Sequence, residues 1–138
     1  MKKILVFIIA SILSLGCSDA QSWKKQNTGF STQRGISGIH IVDNTKVWAW
    51  TWDDSTGIRC RDFCKTSNGG NLWTTGTVTF TNSTSYIIGN IHAFSDFVSL
   101  AAMWPTNGFG GLIVKTTDGG NTWSTINSPN FSGSFLNF

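Results

Sequence analysis

Three sets of residues in this chain are of types that could do chemistry: the pair Cys60 and Cys64, the pair His40 and His92, and the row Trp48, Trp50 and Trp52. The cysteines could form a disulfide or stay as small buried apolar groups. If Ile58–Cys64 were one strand, the four-residue spacing would hold the two Cα atoms about 13 Å apart, beyond the roughly 7 Å a disulfide spans. A bond therefore requires a turn at Arg61-Asp62. The histidines occupy equivalent positions of a repeat, which could bring two imidazoles together on neighbouring innermost strands to hold a metal, but Asn137 stands at the third such position, so a polar strand position inherited through duplication is the better account and no metal site is expected. The tryptophans alternate and so would share one face of a strand, where they would either stack on a sugar ring or pack between layers. Arg59 and Arg61 flank Cys60 in an expected loop, where they read as a solvated basic edge ahead of an anion clamp.

Composition limits what these residues can serve. All seven acidic residues are Asp, with no Glu, while Gly, Ser, Thr and Asn are abundant. Short strands joined by Gly/Asn/Asp turns use such an alphabet, and helical domains do not. A net charge of +3 from scattered basic residues is no nucleic-acid signature. Two of those residues, Lys2 and Lys3, open a segment that ends in Ser18-Asp19-Ala20 after the apolar run Ile4–Leu15. It reads as an export signal over residues 1–20, too short for a membrane span. Cleavage after Ala20 is expected. The competing route would lipidate Cys17, since Leu15-Gly16-Cys17 approaches a lipoprotein box, although Ser14 stands where an aliphatic residue is preferred. The protein is thus expected to be secreted, periplasmic or on the cell surface of a bacterium.

The elements that position these residues come in repeats. Trp23, Trp73 and Trp123 stand fifty residues apart, and the last two close similar segments, Lys65–Trp73 and Lys115–Trp123. Each segment follows a related seventeen-residue stretch, Ile36–Trp52 or Ile88–Trp104, that reads as two strands around a tight polar turn. A third strand, a glycine turn and a fourth strand follow. Four antiparallel strands per repeat make the blade of a β-propeller. The prediction is all-β, with sheets over roughly Ile36–Val78 and Tyr86–Asn127 and no helix after Ala20.

The segment Thr116-Thr117-Asp118-Gly119-Gly120-Asn121-Thr122-Trp123 resembles the Asp box, S/T-x-D-x-G-x-T-W, at every fixed position. Such boxes occur in sialidases, sortilin-type ectodomains and propellers similar to photosystem II assembly factors. The first copy departs from the pattern, with Asn68 for the Asp and Leu72 for the Thr. The resemblance implies that Thr66, Asn68, Gly70 and Trp73, with Thr116, Asp118, Gly120, Thr122 and Trp123, are structural. Asp118 or Asn68 would accept backbone N–H groups of its turn, the glycines would take positive φ, and both tryptophans would be buried at the hairpin base.

The expected organisation is a signal at 1–20, a closing strand and linker at 21–33, blades at 34–84 and 85–130, and the first strand of a third blade at 131–138. Ser22–Gln26 aligns with a fourth strand, and Ser134–Phe138 with a first strand. These ends read as two complete blades and the start of another, an N-terminal fragment with the ring not closed and further blades of the same chain as partners. The leading functional reading is an exported, non-catalytic module that binds or scaffolds a protein or glycan, without a cofactor. The alternative is a fragment of a sialidase-like glycoside hydrolase, which would need Tyr, Glu and clustered Arg. This chain has one Tyr, Tyr86, three Arg and no Glu. A two-bladed unit that self-associates is the third class.

Overall fold

A computed structural model describes residues 24–108 and 110–126 of the chain. The expected signal, Cys17, Trp23 and the expected third-blade strand at 131–138 lie outside the described residues. Strands β1 (Arg34–Ile41), β2 (Val47–Asp53), β3 (Ile58–Thr66) and β4 (Thr74–Thr77) form one antiparallel sheet in sequence order. Strands β5 (Tyr86–Ala93), β6 (Ser99–Pro105), β7 (Leu112–Thr116) and β8 (Ser124–Thr125) repeat it. These are two blades of a β-propeller, and among the described residues they close no ring. The described residues contain one short 3-10 turn, Ser83–Ser85, in the linker between the blades.

Local chemistry sets each turn. Asp43 Oδ1 accepts the backbone N–H groups of Thr45 and Lys46, both at 2.8 Å, and so fixes the β1–β2 turn. Ser95 does the same work between β5 and β6, its Oγ accepting from Phe97 N at 3.1 Å and Val98 N at 3.0 Å. Both innermost strands carry a register shift at matching places, Ile36/Gly38 and Ile88/Asn90. A Cβ on Gly38 would collide with the Trp50 indole, so the bulky β2 side chain requires a glycine opposite it.

Antiparallel pairing assigns the faces. Trp48 and Trp50 pair with Lys65 and Phe63, and these four define the front of the first blade. That front packs on the back of the second blade, where Ile88, Ile91, Ala93, Ala101, Met103, Val114 and Trp123 join Trp48, Trp50 and Phe63 in one buried cluster. Trp48 stacks on Phe63 with centroids 5.3 Å apart, and Trp123 meets both rings edge-on at 6.5 and 5.9 Å. Among the described residues the back of the first blade has no such cover: Ile36, Ile39 and Ile41 are 43%, 58% and 62% exposed, while their counterparts Ile88, Ile91 and Ala93 are at most 4% exposed.

Three expectations need correction. Trp73 is half-buried, unlike Trp123, because no sheet among the described residues lies against its side of the first blade. Cys60 and Cys64 are free thiols. Both belong to β3, so the turn that a disulfide would require is absent and the strand holds them apart. Arg59 and Arg61 likewise lie in β3 and not in a loop: the Arg59 guanidinium sits 4.6 Å from the Trp104 ring centroid, and Arg61 donates to Ser83 Oγ at 2.8 Å.

Candidate functional site

The two β3–β4-type turns show where their polar groups are used. In the second blade Asp118 Oδ1 accepts from Thr116 Oγ1 at 2.8 Å and Thr122 N at 2.9 Å, while Oδ2 accepts from the Thr122 hydroxyl at 2.5 Å. The Thr122 hydroxyl, then its N–H, then the Thr116 hydroxyl hold the Asp118 carboxyl down at about 2. Thr116 Oγ1 accepts Gly120 N at 2.9 Å, and Trp123 Nε1 donates to Gly120 O at 3.2 Å. In the first blade Asn68 Oδ1 accepts from Leu72 N at 2.9 Å, and Thr66 Oγ1 accepts Gly70 N at 3.0 Å. Leu72 removes one donor, and an amide in place of a carboxylate suits the smaller set. Both carbonyl-type oxygens therefore serve their own turns.

Other candidate groups are also engaged internally. Arg34 bridges Asp53 at 3.0 Å and Asp62 at 2.8 Å, tying the rim of the first blade together. The sequence reading missed this triad, because its members are twenty-eight residues apart at most and only strand pairing brings them together. Trp48 is 0% and Trp50 8% exposed, so these two pack between the blades and offer no face to a sugar, while Trp52 is half-buried over Gly35 of its own sheet. Burial pushes the Cys64 thiol up to about 12, which makes it an inert apolar group at neutral pH. Cys60 Sγ lies 3.0 Å from Thr51 Oγ1.

The innermost strands present a different surface. His40 on β1 and His92 on β5 do meet, with ring centroids 4.4 Å apart. The Phe94 ring continues the row at 4.9 Å from His92. Desolvation, then the neighbouring His92, lowers the His40 titration below its ordinary value, so His40 is neutral at pH 7. Beside this row lies a groove of about 180 Å³ bordered by Asn90, Leu100, Ala102 and Ile113. Phe94 and Phe97 are exposed by more than half. Among the described residues no group of three or more potential metal ligands occurs. Phe94 and Phe97 were not singled out by sequence, though Phe94 stands two residues after His92 and so continues its face.

No protein-family model matches the chain, and no curated protein matches it. Among solved structures it is similar to one described as YCF48 bound to D1 peptide, at 20% identity and a TM-score of 0.48. The likeness covers 75% of this chain and 30% of that one, so this chain spans under a third of the other's length.

Proposed function

We propose that the chain is a non-catalytic, exported binding or scaffolding module built of propeller blades, with a protein ligand ahead of a glycan. The observation that carries this reading is the aromatic row His40, His92 and Phe94 on the innermost strands. Two of its three members, His92 and Phe94, are exposed, and the row borders an apolar groove with an amide at Asn90. Aromatic rings with a few polar groups at a groove edge suit apolar and amide-bearing side chains of a protein. By contrast, Asp43, Asp53, Asp62 and Asp118 are engaged in turns or with Arg34, which argues against the hydrolase alternative. Packing of Trp48 and Trp50 between the blades argues against glycan stacking on that row. The export signal read at residues 1–20 supports action outside the cytoplasm.

Selection from a random-peptide display library, beside a glycan array and a panel of fluorogenic glycosides, tests the proposal. Enriched peptides that compete with one another and lose binding in Phe94→Ala are expected. Turnover of any glycoside, or glycan capture without peptide enrichment, would refute it.

A further inference from the structure

The contact between the two blades shows what fits the back of the first one, which no sheet among the described residues covers. Three features hold the front of the first blade on the back of the second. The Phe63 ring fills the space where a Cβ on Gly120 would lie. Trp48 Nε1 donates to Ser95 O at 3.1 Å, and Lys65 Nζ donates to Asp96 O at 2.8 Å. Apolar contact over Ile88, Ile91 and Ala93 completes the seat.

Every socket of that seat exists one blade earlier. Gly69 N donates to Thr45 O at 2.9 Å just as Gly119 N donates to Phe97 O at 2.9 Å, which makes Asp43 and Asn44 the counterparts of Ser95 and Asp96. Gly70 corresponds to Gly120, and Ile36, Ile39 and Ile41 to Ile88, Ile91 and Ala93. Together they shape a groove of about 370 Å³ walled by Trp73. The Gln26 amide stands over Gly70 where Phe63 stands over Gly120, and its Oε1 accepts from Trp73 Nε1 at 2.8 Å. The matching front of the second blade carries Leu100, Ile113 and Lys115 at the places of Trp48, Phe63 and Lys65.

We infer that the back of the first blade docks the front of the second blade of another copy of this chain, head to tail. The partner's Ile113 covers Gly70 and displaces the Gln26 amide, the partner's Leu100 lies on Ile39 and Ile41, and the partner's Lys115 donates to the Asn44 carbonyl. The two surfaces differ, so the contact propagates from copy to copy until it closes. The contact covers Leu100 and Ile113, which also border the groove beside His92, so on any one front the second copy and the ligand proposed above exclude each other.

Size-exclusion chromatography with light scattering on the full chain, produced in an exporting host, tests it. A discrete mass of two or more copies is expected, falling to a single copy in Ile39→Asp and in Leu100→Asp. Mixing these two variants should restore a dimer, a twofold gain in mass, because each keeps the face the other lacks. Lys115→Glu changes an exposed side chain and serves as a second front-face variant if circular dichroism shows Leu100→Asp unfolded. A monomeric parent chain, including one whose own further blades cover the groove, would overturn the inference. So would an unchanged mass in Ile39→Asp, or a mixture that stays monomeric.

Discussion

Truncating Trp123 to alanine perturbs the blade contact at its aromatic centre, and Trp73 supplies the matched control. Trp123 is 7% exposed and meets Trp48 and Phe63 edge-on. A buried indole hides on the order of 200 Å² of mostly apolar surface, of which an alanine methyl replaces about a quarter. The remaining roughly 150 Å², at about 25 cal/mol per Å², corresponds to about 4 kcal/mol. That falls within the roughly 3–5 kcal/mol typical of removing a large buried aromatic. Trp48 and Phe63 belong to a different sheet and are held by their own strands, so the cavity should not collapse. The same change at half-buried Trp73 should cost about 2 kcal/mol or less, because much of its indole borders the open groove. Urea unfolding followed by far-UV circular dichroism, with both variants in an Ile39→Asp background to suppress association, reads the difference. A domain of this size has roughly 5–15 kcal/mol in total, so the Trp123 variant should show a large fall in midpoint at similar slope. Equal losses at the two positions, or a Trp123 loss below about 1 kcal/mol, would refute the assignment of Trp123 to an inter-blade core.

Further outcomes follow from the same geometry. Gly120→Ala should cost about 2–4 kcal/mol in urea titrations, since φ is +91° and the added carbon meets Phe63; Gly57→Ala, at φ +71° with open space around it, should cost about 1–2 kcal/mol. Asp118 has its carboxyl lowered from 3.8 to about 2 in the folded state, so its contribution is complete above about pH 4 and is lost as pH falls toward 2. Acid unfolding of Asp118→Asn should have a shallower slope in that window, and an unchanged slope would count against the turn bonds. His40 titrates below its ordinary 6.5 when folded, so the unfolded chain binds the proton first and stability should fall as pH drops below about 6.5. His40→Asn should flatten that part of the profile in thermal melts between pH 7.5 and 5. Cys64, buried with its thiol pushed up to about 12, should resist a thiol reagent at pH 8 until urea unfolds the chain; rapid labelling of the native protein at Cys64 would contradict the packing.

The strands and turns were legible in the sequence because their causes are local. The fifty-residue repeat, the alternation Trp48, Trp50, Trp52, and the Gly69-Gly70 and Gly119-Gly120 pairs each act within a few residues, through side-chain alternation and positive φ. The approach of His40 to His92 was legible as well, since equivalent positions of adjacent blades fall side by side. What each side chain faces was decided by the stacking of one sheet on the other. Trp73 and Trp123 occupy the same place in near-identical motifs, yet one borders a groove and the other fills a core, because only the second blade has another blade behind it among the described residues. Trp48 and Trp50 took their role from the same contact, and Cys60 and Cys64 stayed unbonded because β3 runs straight through the point where a turn was needed. Arg34, Asp53 and Asp62 met through strand register, a relation between distant segments that no local pattern records.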